Sequence, residues 1–109
     1  MAKEEKTISF SVETDENNIP QKIGWNSSDD KEEKEAKAVF ITIWDQEEGN
    51  TLRIDLWNKY MQVDEMKHFV HQSMITMADT LERATSDKEL SSAIRKFSEA
   101  FGQRINEEK

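Results

Sequence analysis

The side chains in this sequence best suited to chemistry are two histidines on the first of two predicted helices. His68 and His71 are the only histidines, and Glu65 lies three residues before His68. This Glu-x-x-His spacing resembles one half of a di-iron helix motif, which needs a second copy and further carboxylates. The chain has no second copy, and no pair of histidines four residues apart as in zinc helices. We therefore predict no metal and no other cofactor, with a small metal protein or enzyme using these three residues as an alternative.

The sequence also lacks the motifs of other common catalytic sites. The chain has no cysteine and no G-x-S-x-G elbow, and its three glycines are too scattered for a phosphate-binding loop. Acidic pairs such as Glu32-Glu33 and Glu47-Glu48 fall in charged segments, whereas a general acid needs a carboxyl group held in an apolar pocket. The sequence therefore predicts a protein that is not an enzyme.

Charge and length restrict the partners and the compartment. The 109 residues include 23 acidic and 15 basic side chains, so the formal net charge is −8. An acidic chain is a poor match for nucleic acid, because each phosphate contact needs a Lys or Arg. No run of 18 apolar residues could span a membrane, and the charged start lacks the apolar core of a secretory signal. We expect one cytoplasmic domain over residues 1–109, with frayed ends at 1–6 and 106–109.

The first half of the chain shows the two-residue period of strands. Apolar and polar side chains alternate over residues 7–14, after which a polar turn leads to a short strand from Pro20 to Trp25. Residues 27–35 are dense in charge and predict a mobile loop. Residues 36–45 are apolar on both faces, and residues 51–57 alternate again after a Gly-containing hairpin loop at 47–50.

The second half changes to the 3.6-residue period of helices. An apolar stripe begins near Val63, and Ser86 followed by Glu89 has the form of a capping box before a second helix. The short connection predicts antiparallel helices. The predicted fold class is α+β, a four-stranded antiparallel sheet followed by a two-helix hairpin packed on one face.

The aromatic residues favour an interaction surface. Trp25, Trp44 and Trp57 all lie in predicted strands, and Trp57 shares a strand face with Arg53 and Asp55, opposite Leu52, Ile54 and Leu56, which we expect to face inward. The opposite assignment, with the tryptophans buried, stays open, because residues 36–45 are apolar on both sides. Because residues 36–45 are apolar on both sides, a helical hairpin can cover only one of them. We expect a second copy of the chain, making a homodimer or higher homo-oligomer, or another protein to cover the other side, with a folded-over loop of the same chain as a further alternative.

Several long stretches closely resemble the gliding motility-associated GldC proteins. The matching stretches are residues 51–67, His71-Gln72, residues 77–85 and, upstream, Ile19-Pro20, Trp25-Asn26, residues 36–39 and Trp44-Asp45. The sequence departs from the family pattern at Gln62, where a proline is expected. The resemblance implies a small, soluble, cytoplasmic protein that assists the gliding apparatus through protein partners, with no catalytic residues to carry over.

The resemblance and the strand pattern together predict a partner surface. Its candidate residues are Arg53, Asp55, Trp57, Trp25, Trp44 and, at polar positions of the first helix, His71, Asp79 and Arg83. The preferred hypothesis is a non-catalytic accessory or assembly protein that supports gliding motility. The alternative is a chaperone-like client-binding protein, because four antiparallel strands followed by two helices resemble the SecB export chaperone in architecture alone.

Overall fold

The computed structural model describes residues 4–108, which form five strands and then two helices. The elements are β1 (Ile8–Thr14), β2 (Pro20–Ser27), β3 (Asp30–Ala36), β4 (Ala38–Trp44), β5 (Thr51–Trp57), α1 (Val63–Thr85) and α2 (Lys88–Glu107). The chain comprises two compact units, one ending at Met61 and containing all the strands, the other starting at Gln62 and containing both helices. The predicted α+β class is confirmed.

The strands form two sheets where one four-stranded sheet was predicted. β1, β2 and β3 make a three-stranded antiparallel sheet with β2 in the centre, and β4 pairs only with β5. All four predicted strands are present, as β1, β2, β4 and β5, but the chain contains one strand more than the sequence predicted. That additional strand is β3.

β3 occupies most of the segment predicted as a charged loop at 27–35, so that part of the prediction was wrong. Its sequence is DKEEKEA, and it pairs with β2 in the register Ile23↔Ala36 and Trp25↔Lys34. Ladder hydrogen bonds come from the backbone, and charged side chains are well tolerated on an edge strand that faces water. The charged side chains that led to the prediction of a loop are therefore compatible with an edge strand.

The predicted apolar strand at 36–45 is shorter than expected. Ala36 ends β3, the chain bends at Lys37, and β4 begins at Ala38. Ile23, opposite Ala36 on the central strand β2, is fully buried and forms the core of the three-stranded sheet.

A tight turn joins β4 to β5. The Asp45 N–H donates to the Asn50 carbonyl at 2.9 Å, and the Gly49 N–H donates to the Asp45 carbonyl at 3.0 Å. Gly49 has a φ of +63°, a conformation that favours glycine. The predicted hairpin loop at 47–50 is confirmed, and we call the two-stranded sheet of β4 and β5 the ribbon.

The two helices are joined by a connection of two residues. Ser86 ends α1 with a left-handed φ of 60°, and its N–H donates to the Glu82 carbonyl. Asp87 is the N-cap of α2, because its carboxylate accepts from the Leu90 N–H at 3.0 Å. The predicted cap at Ser86 was therefore wrong by one residue, since Ser86 is needed to end the preceding helix.

The helices are antiparallel, as predicted. Lys67 near the start of α1 pairs with Glu108 just after α2 at 2.6 Å, and Arg95 reaches Glu82 and Asp79 at 2.8 and 2.9 Å. α2 continues through Glu107, so residues 106 and 107 are helical where a frayed end was predicted. Residues 1–3 and 109 of the predicted frayed ends lie outside the described residues. The predicted packing of this hairpin on a sheet face stays a prediction.

Candidate functional site

The ribbon carries two chemically different faces. Seven antiparallel pairs run from Ala38↔Trp57 to Trp44↔Thr51, and side chains alternate between the faces along each strand. One, the aliphatic face, consists of Val39, Ile41, Ile43, Leu52, Ile54 and Leu56. The other, the aromatic–charged face, includes Phe40, Trp44, Arg53, Asp55 and Trp57. The sequence predicted this division correctly.

The aromatic–charged face holds its guanidinium group between an aromatic ring and a carboxylate. The Arg53 Cζ lies 4.8 Å from the centre of the Phe40 ring, within the range of a cation–π contact. The Arg53 Nε donates to the Asp55 Oδ1 at 2.8 Å. Each of these contacts restrains Arg53, so its planar group is held against the strand surface in a defined orientation.

Two tryptophans mark the ends of this face. Trp44 is 71% exposed and Trp57 is 55% exposed, although tryptophan is a residue that folding usually buries in large part. They lie at opposite ends of the ribbon, a separation of about 20 Å for six residues of extended chain. Exposed Trp together with Arg is the composition that dominates the energetics of protein interfaces.

Part of the aliphatic face is open to solvent as well. Ile43, Leu52 and Ile54 are each about half exposed, at 50%, 48% and 53%. The sequence predicted that Leu52, Ile54 and Leu56 point into a core, and only Leu56 is half-buried. Contiguous exposed apolar side chains on a strand pair are typical of a surface that binds another protein.

The backbone at the C-terminal end of β5 holds Trp57 in place. Asn58 is buried, and its N–H donates to the Lys37 carbonyl at 2.8 Å. The Lys59 N–H donates to the Pro20 carbonyl, and its ammonium group lies 3.2 Å from the Asp15 Oδ2. These bonds tie the end of the ribbon to the three-stranded sheet within the same unit.

Asp15 is the charged group at this junction. Its carboxylate accepts hydrogen bonds from the backbone N–H groups of Ile19 and Asn17, and these bonds lower the pKa of Asp15, with Lys59 adding to the effect. Hydrogen bonds and a nearby cation both favour the ionised form. Asp15 therefore acts as a structural anion of the turn between β1 and β2.

Trp25, another predicted surface residue, lies in the other sheet. It is half-buried on the central strand β2, and the Lys34 ammonium group lies 5.3 Å from the centre of its ring. It therefore lies on a different sheet from Trp44 and Trp57.

His71, also predicted for the partner surface, lies between α1 and α2. Its Nε2 is 2.8 Å from the Ser98 carbonyl oxygen, and its ring stacks on Phe101 with 5.9 Å between centres. A methyl group on Gly102 would come within 2.8 Å of the ring, so Gly102 provides the space that His71 occupies. These contacts give His71 a packing role inside the helical hairpin.

Asp79 and Arg83, the remaining predicted residues, lie on the outside of α1. Asp79 accepts from Arg95 of α2 at 2.9 Å, and Arg83 donates to the Thr80 hydroxyl at 3.3 Å. The structure thus brings together four of the predicted residues on the ribbon, namely Arg53, Asp55, Trp57 and Trp44, and places the other four on different elements.

Phe40 is the member of this surface that sequence reasoning did not select. It lies directly opposite Asp55 and beneath Arg53. The strand alternation already placed it beside Trp44, so pairing the two strands in register would have found it. Among residues 4–108, no group of three or more His, Cys, Asp or Glu side chains could hold a metal ion.

The architecture defines an α+β chain in which an exposed strand ribbon precedes a helical hairpin. The family model for gliding motility-associated GldC-like proteins matches residues 20–107 of the 109-residue chain. The chain therefore belongs to the GldC-like family, which the resemblance in the sequence had indicated. The match begins at β2 and includes both helices as well as the whole ribbon.

No curated protein and no solved structure was found to match this chain. Within the part of the chain that the structure describes, neither helix combines the length and apolar character that a membrane span requires.

Proposed function

We propose that this chain is a non-catalytic accessory protein of the gliding machinery that acts by binding another protein through the aromatic–charged face of the ribbon. Membership of the GldC-like family supports the association with gliding motility. The exposure of Trp44 and Trp57 on one strand face is the observation that carries the binding role. The partner is a protein, because no nucleic acid is a good match for a chain with net charge −8.

The chemistry of the surface supports protein binding. Trp57 and Trp44 offer large apolar areas, and Arg53 offers fixed donors between them. Burial of a tryptophan removes about 150–250 Å² of surface from water, so two such anchors supply much of a specific interface. A cytoplasmic location remains part of this proposal, supported by the absence of cysteine from the sequence.

The test is complementation of a strain that lacks the gene. Trp57→Ala should reduce gliding speed and the recovery of a specific protein in affinity capture, with binding weakened by about tenfold or more for the loss of one tryptophan anchor. Phe97→Ala is the matched control, because Phe97 is an aromatic residue of α2 with 64% exposure. It should leave gliding and capture unchanged.

Two results would count against the proposal. If both variants glide and capture normally, the aromatic–charged face has no role in binding. If both fail equally while circular dichroism shows folded protein, the effect does not belong to the ribbon in particular.

The exposed aliphatic face favours a second candidate, a client-binding protein of chaperone type. Half-exposed Ile43, Leu52 and Ile54 could hold an unfolded apolar segment. The architectural likeness to SecB assumed one four-stranded sheet, and the chain instead has three strands in one sheet and two in the other. Adding an unfolded polypeptide should alter tryptophan emission if this candidate is right, and unchanged emission would reject it.

A further inference from the structure

The two sheets have four outer edges among the described residues, and the β4 edge differs from the other three. β3 has charges at six of its seven positions, and β5 carries Arg53 and Asp55. β1 carries Glu13, where its pairing with β2 shifts register. Charges and irregularities of this kind prevent edge strands from pairing with other chains. β4, with the sequence AVFITIW, has no charge, no proline and no glycine.

The hydrogen bonds at the two ends of the ribbon fix which residues of β4 face outward. The Asn58 N–H bonds to the Lys37 carbonyl, and the Asp45 N–H bonds to the Asn50 carbonyl. In an antiparallel ladder, residues alternate between bonding the neighbouring strand and pointing away from it. Because 37 and 45 bond toward β5, the odd-numbered residues between them do so too. Ala38, Thr42 and Trp44 therefore direct their N–H and carbonyl groups to the outer edge.

We propose that the outer edge of β4 pairs antiparallel with the same edge of a second copy of this chain, about a twofold axis at Ile41. This register pairs Ala38 with Trp44 of the second copy and gives full overlap of the seven-residue strands. Outward-directed residues then meet outward-directed residues, as hydrogen-bonded pairs require. Ile41 lies opposite its own symmetry mate in a non-hydrogen-bonded pair.

Charge favours this edge over any other for self-association. Each copy has a net charge of −8, so two copies repel unless they meet where acidic groups are absent. β4 contributes no charge, and the charges of the adjoining β5, Arg53 and Asp55, already neutralise each other at 2.8 Å. A pairing of two β3 edges would instead bring four acidic side chains from each copy together.

The side chains favour the same arrangement. Pairing through β4 produces a four-stranded sheet in the order β5-β4-β4-β5, and the aliphatic faces become continuous, with six aliphatic side chains from each copy. A two-stranded hairpin is only marginally stable, whereas four strands with a shared apolar face are a stable unit. The symmetry is isologous, the commonest arrangement in homodimers.

The proposal of a dimer does not depend on the proposed function. Its interface is the backbone edge of β4, whereas the proposed partner surface consists of side chains on the aromatic–charged face, and its anchor Trp57 lies on β5. Loss of dimer with normal gliding, or loss of gliding with normal dimer, therefore distinguishes the two proposals.

A single introduced cysteine tests the register, because the natural chain has none. In the proposed dimer the two Cα atoms at position 41 are about 4.5 Å apart, within the range of a disulfide. Under mild oxidation Ile41→Cys should form a covalent dimer. Ile54→Cys is the control on the same face; its two copies lie three strand spacings apart, about 14 Å, and should not cross-link. Cross-linking at 54 and not at 41 would overturn the proposal.

A pair of proline variants tests the edge itself. Thr42→Pro removes an N–H directed outward from β4, and Thr51→Pro removes one directed outward from β5, so neither breaks a bond between the two strands. Thr42→Pro should weaken dimerisation by about tenfold or more, while Thr51→Pro should leave it unchanged. Sedimentation velocity measures the proportion of dimer, since the monomer has a mass of 12.7 kDa.

The outcomes of these experiments are decisive. A wild-type protein that sediments as a monomer at tens of micromolar overturns the proposal. Equal loss of dimer in both proline variants would also do so, because the β4 edge would then have no special role. If Thr42→Pro fails to fold by circular dichroism, the cysteine pair still decides the question in folded protein.

Discussion

The molecule contains two antiparallel hairpins, one of strands and one of helices, and they differ in whether any of their residues are buried. In the helical hairpin the buried residues include Ala78, Ser91, Ser98 and Ile105, and three of these four side chains are small. In the ribbon, large residues such as Ile54 and Trp44 are half exposed or more. Both hairpins expose large apolar side chains, such as Phe97 and Met77 of the helices, but only the helical hairpin also has buried residues, whereas no residue of β4 or β5 is buried. The ribbon therefore presents surface that another chain can bury.

The small buried residues explain how the helices approach each other. The Ser98 hydroxyl donates to the Ile94 carbonyl and the Ser91 hydroxyl to the Asp87 carbonyl, so both are satisfied without a partner on α1. Ser91, Ser98 and Ile105 recur every seven residues, which places them on one stripe of α2. Because the side chains on part of this stripe are small, the axes of α1 and α2 can approach each other closely.

Truncation of an isoleucine in each hairpin gives the largest expected contrast. Ile105 is 7% exposed, so Ile105→Ala should lower the free energy of unfolding by about 2–4 kcal/mol through lost burial and the cavity left behind. Ile54 is 53% exposed, so Ile54→Ala should cost about 1 kcal/mol. Urea unfolding at matched protein concentration measures both. Equal losses in the free energy of unfolding would show that the aliphatic face is covered in solution. They would contradict the contrast between the two hairpins.

The next largest expected effect on stability is that of Gly102→Ala. This substitution should destabilise the natural protein and stabilise a variant that lacks the His71 ring. Gly102→Ala adds a methyl group 2.8 Å from the His71 ring, which the Ser98 carbonyl and Phe101 hold in place. We expect a loss of about 1–2 kcal/mol, although alanine is the better helix former.

The same substitution in a His71→Ala background removes the clash. Gly102→Ala should then raise stability by up to about 1 kcal/mol, which is the helix propensity gain alone. A double-mutant cycle from thermal unfolding measures this coupling. If Gly102→Ala has the same effect in both backgrounds, His71 does not pack against Gly102.

The smallest expected effect is the pH dependence of the ion pair that joins the ends of the helical hairpin. The hydrogen bond from Lys67 lowers the pKa of Glu108 from its ordinary value of 4.5, and the same bond raises the pKa of Lys67 from 10.5. The stabilisation is therefore complete between these two ordinary values. It is lost as pH falls through the lowered pKa of Glu108, and again as pH rises through the raised pKa of Lys67.

The variant Lys67→Met measures this contribution. Its melting temperature should fall slightly below that of the natural protein at pH 7, and the gap should disappear in acid. Both side chains are exposed to solvent, so salt should narrow the gap as well. A gap that persists at pH 2 would show that Lys67 stabilises the hairpin by packing, not by charge.

Periodicity predicted the elements whose pattern is apolar and regular. The β5 strand, the start of α1 at Val63 and the antiparallel helices all agree with the sequence, because apolar side chains that share one face recur with a period of two or 3.6 residues. β3 could not be predicted in this way. Its pairing depends on backbone groups of β2, and its charged side chains show no apolar alternation.

The candidate surface was predictable in part for the same reason. Strand alternation was enough to place Arg53, Asp55 and Trp57 on one face, and the structure adds Phe40 and Trp44 by pairing β4 with β5. His71 looked like an available polar residue, but its ring lies between the helices because Gly102 leaves space for it. Space left by a glycine on another helix, far away in the sequence, produces no periodic pattern around His71.

The spacing of the two tryptophans on the ribbon sets a minimum size for whatever occupies both. Trp44 and Trp57 stand at opposite ends of strands of seven residues, about 20 Å apart. Within one copy of the chain, a metabolite or a lone amino acid can reach one indole ring but not the second. Only an extended peptide of at least six residues, or the flat side of a folded domain, is long enough to touch the pair at once.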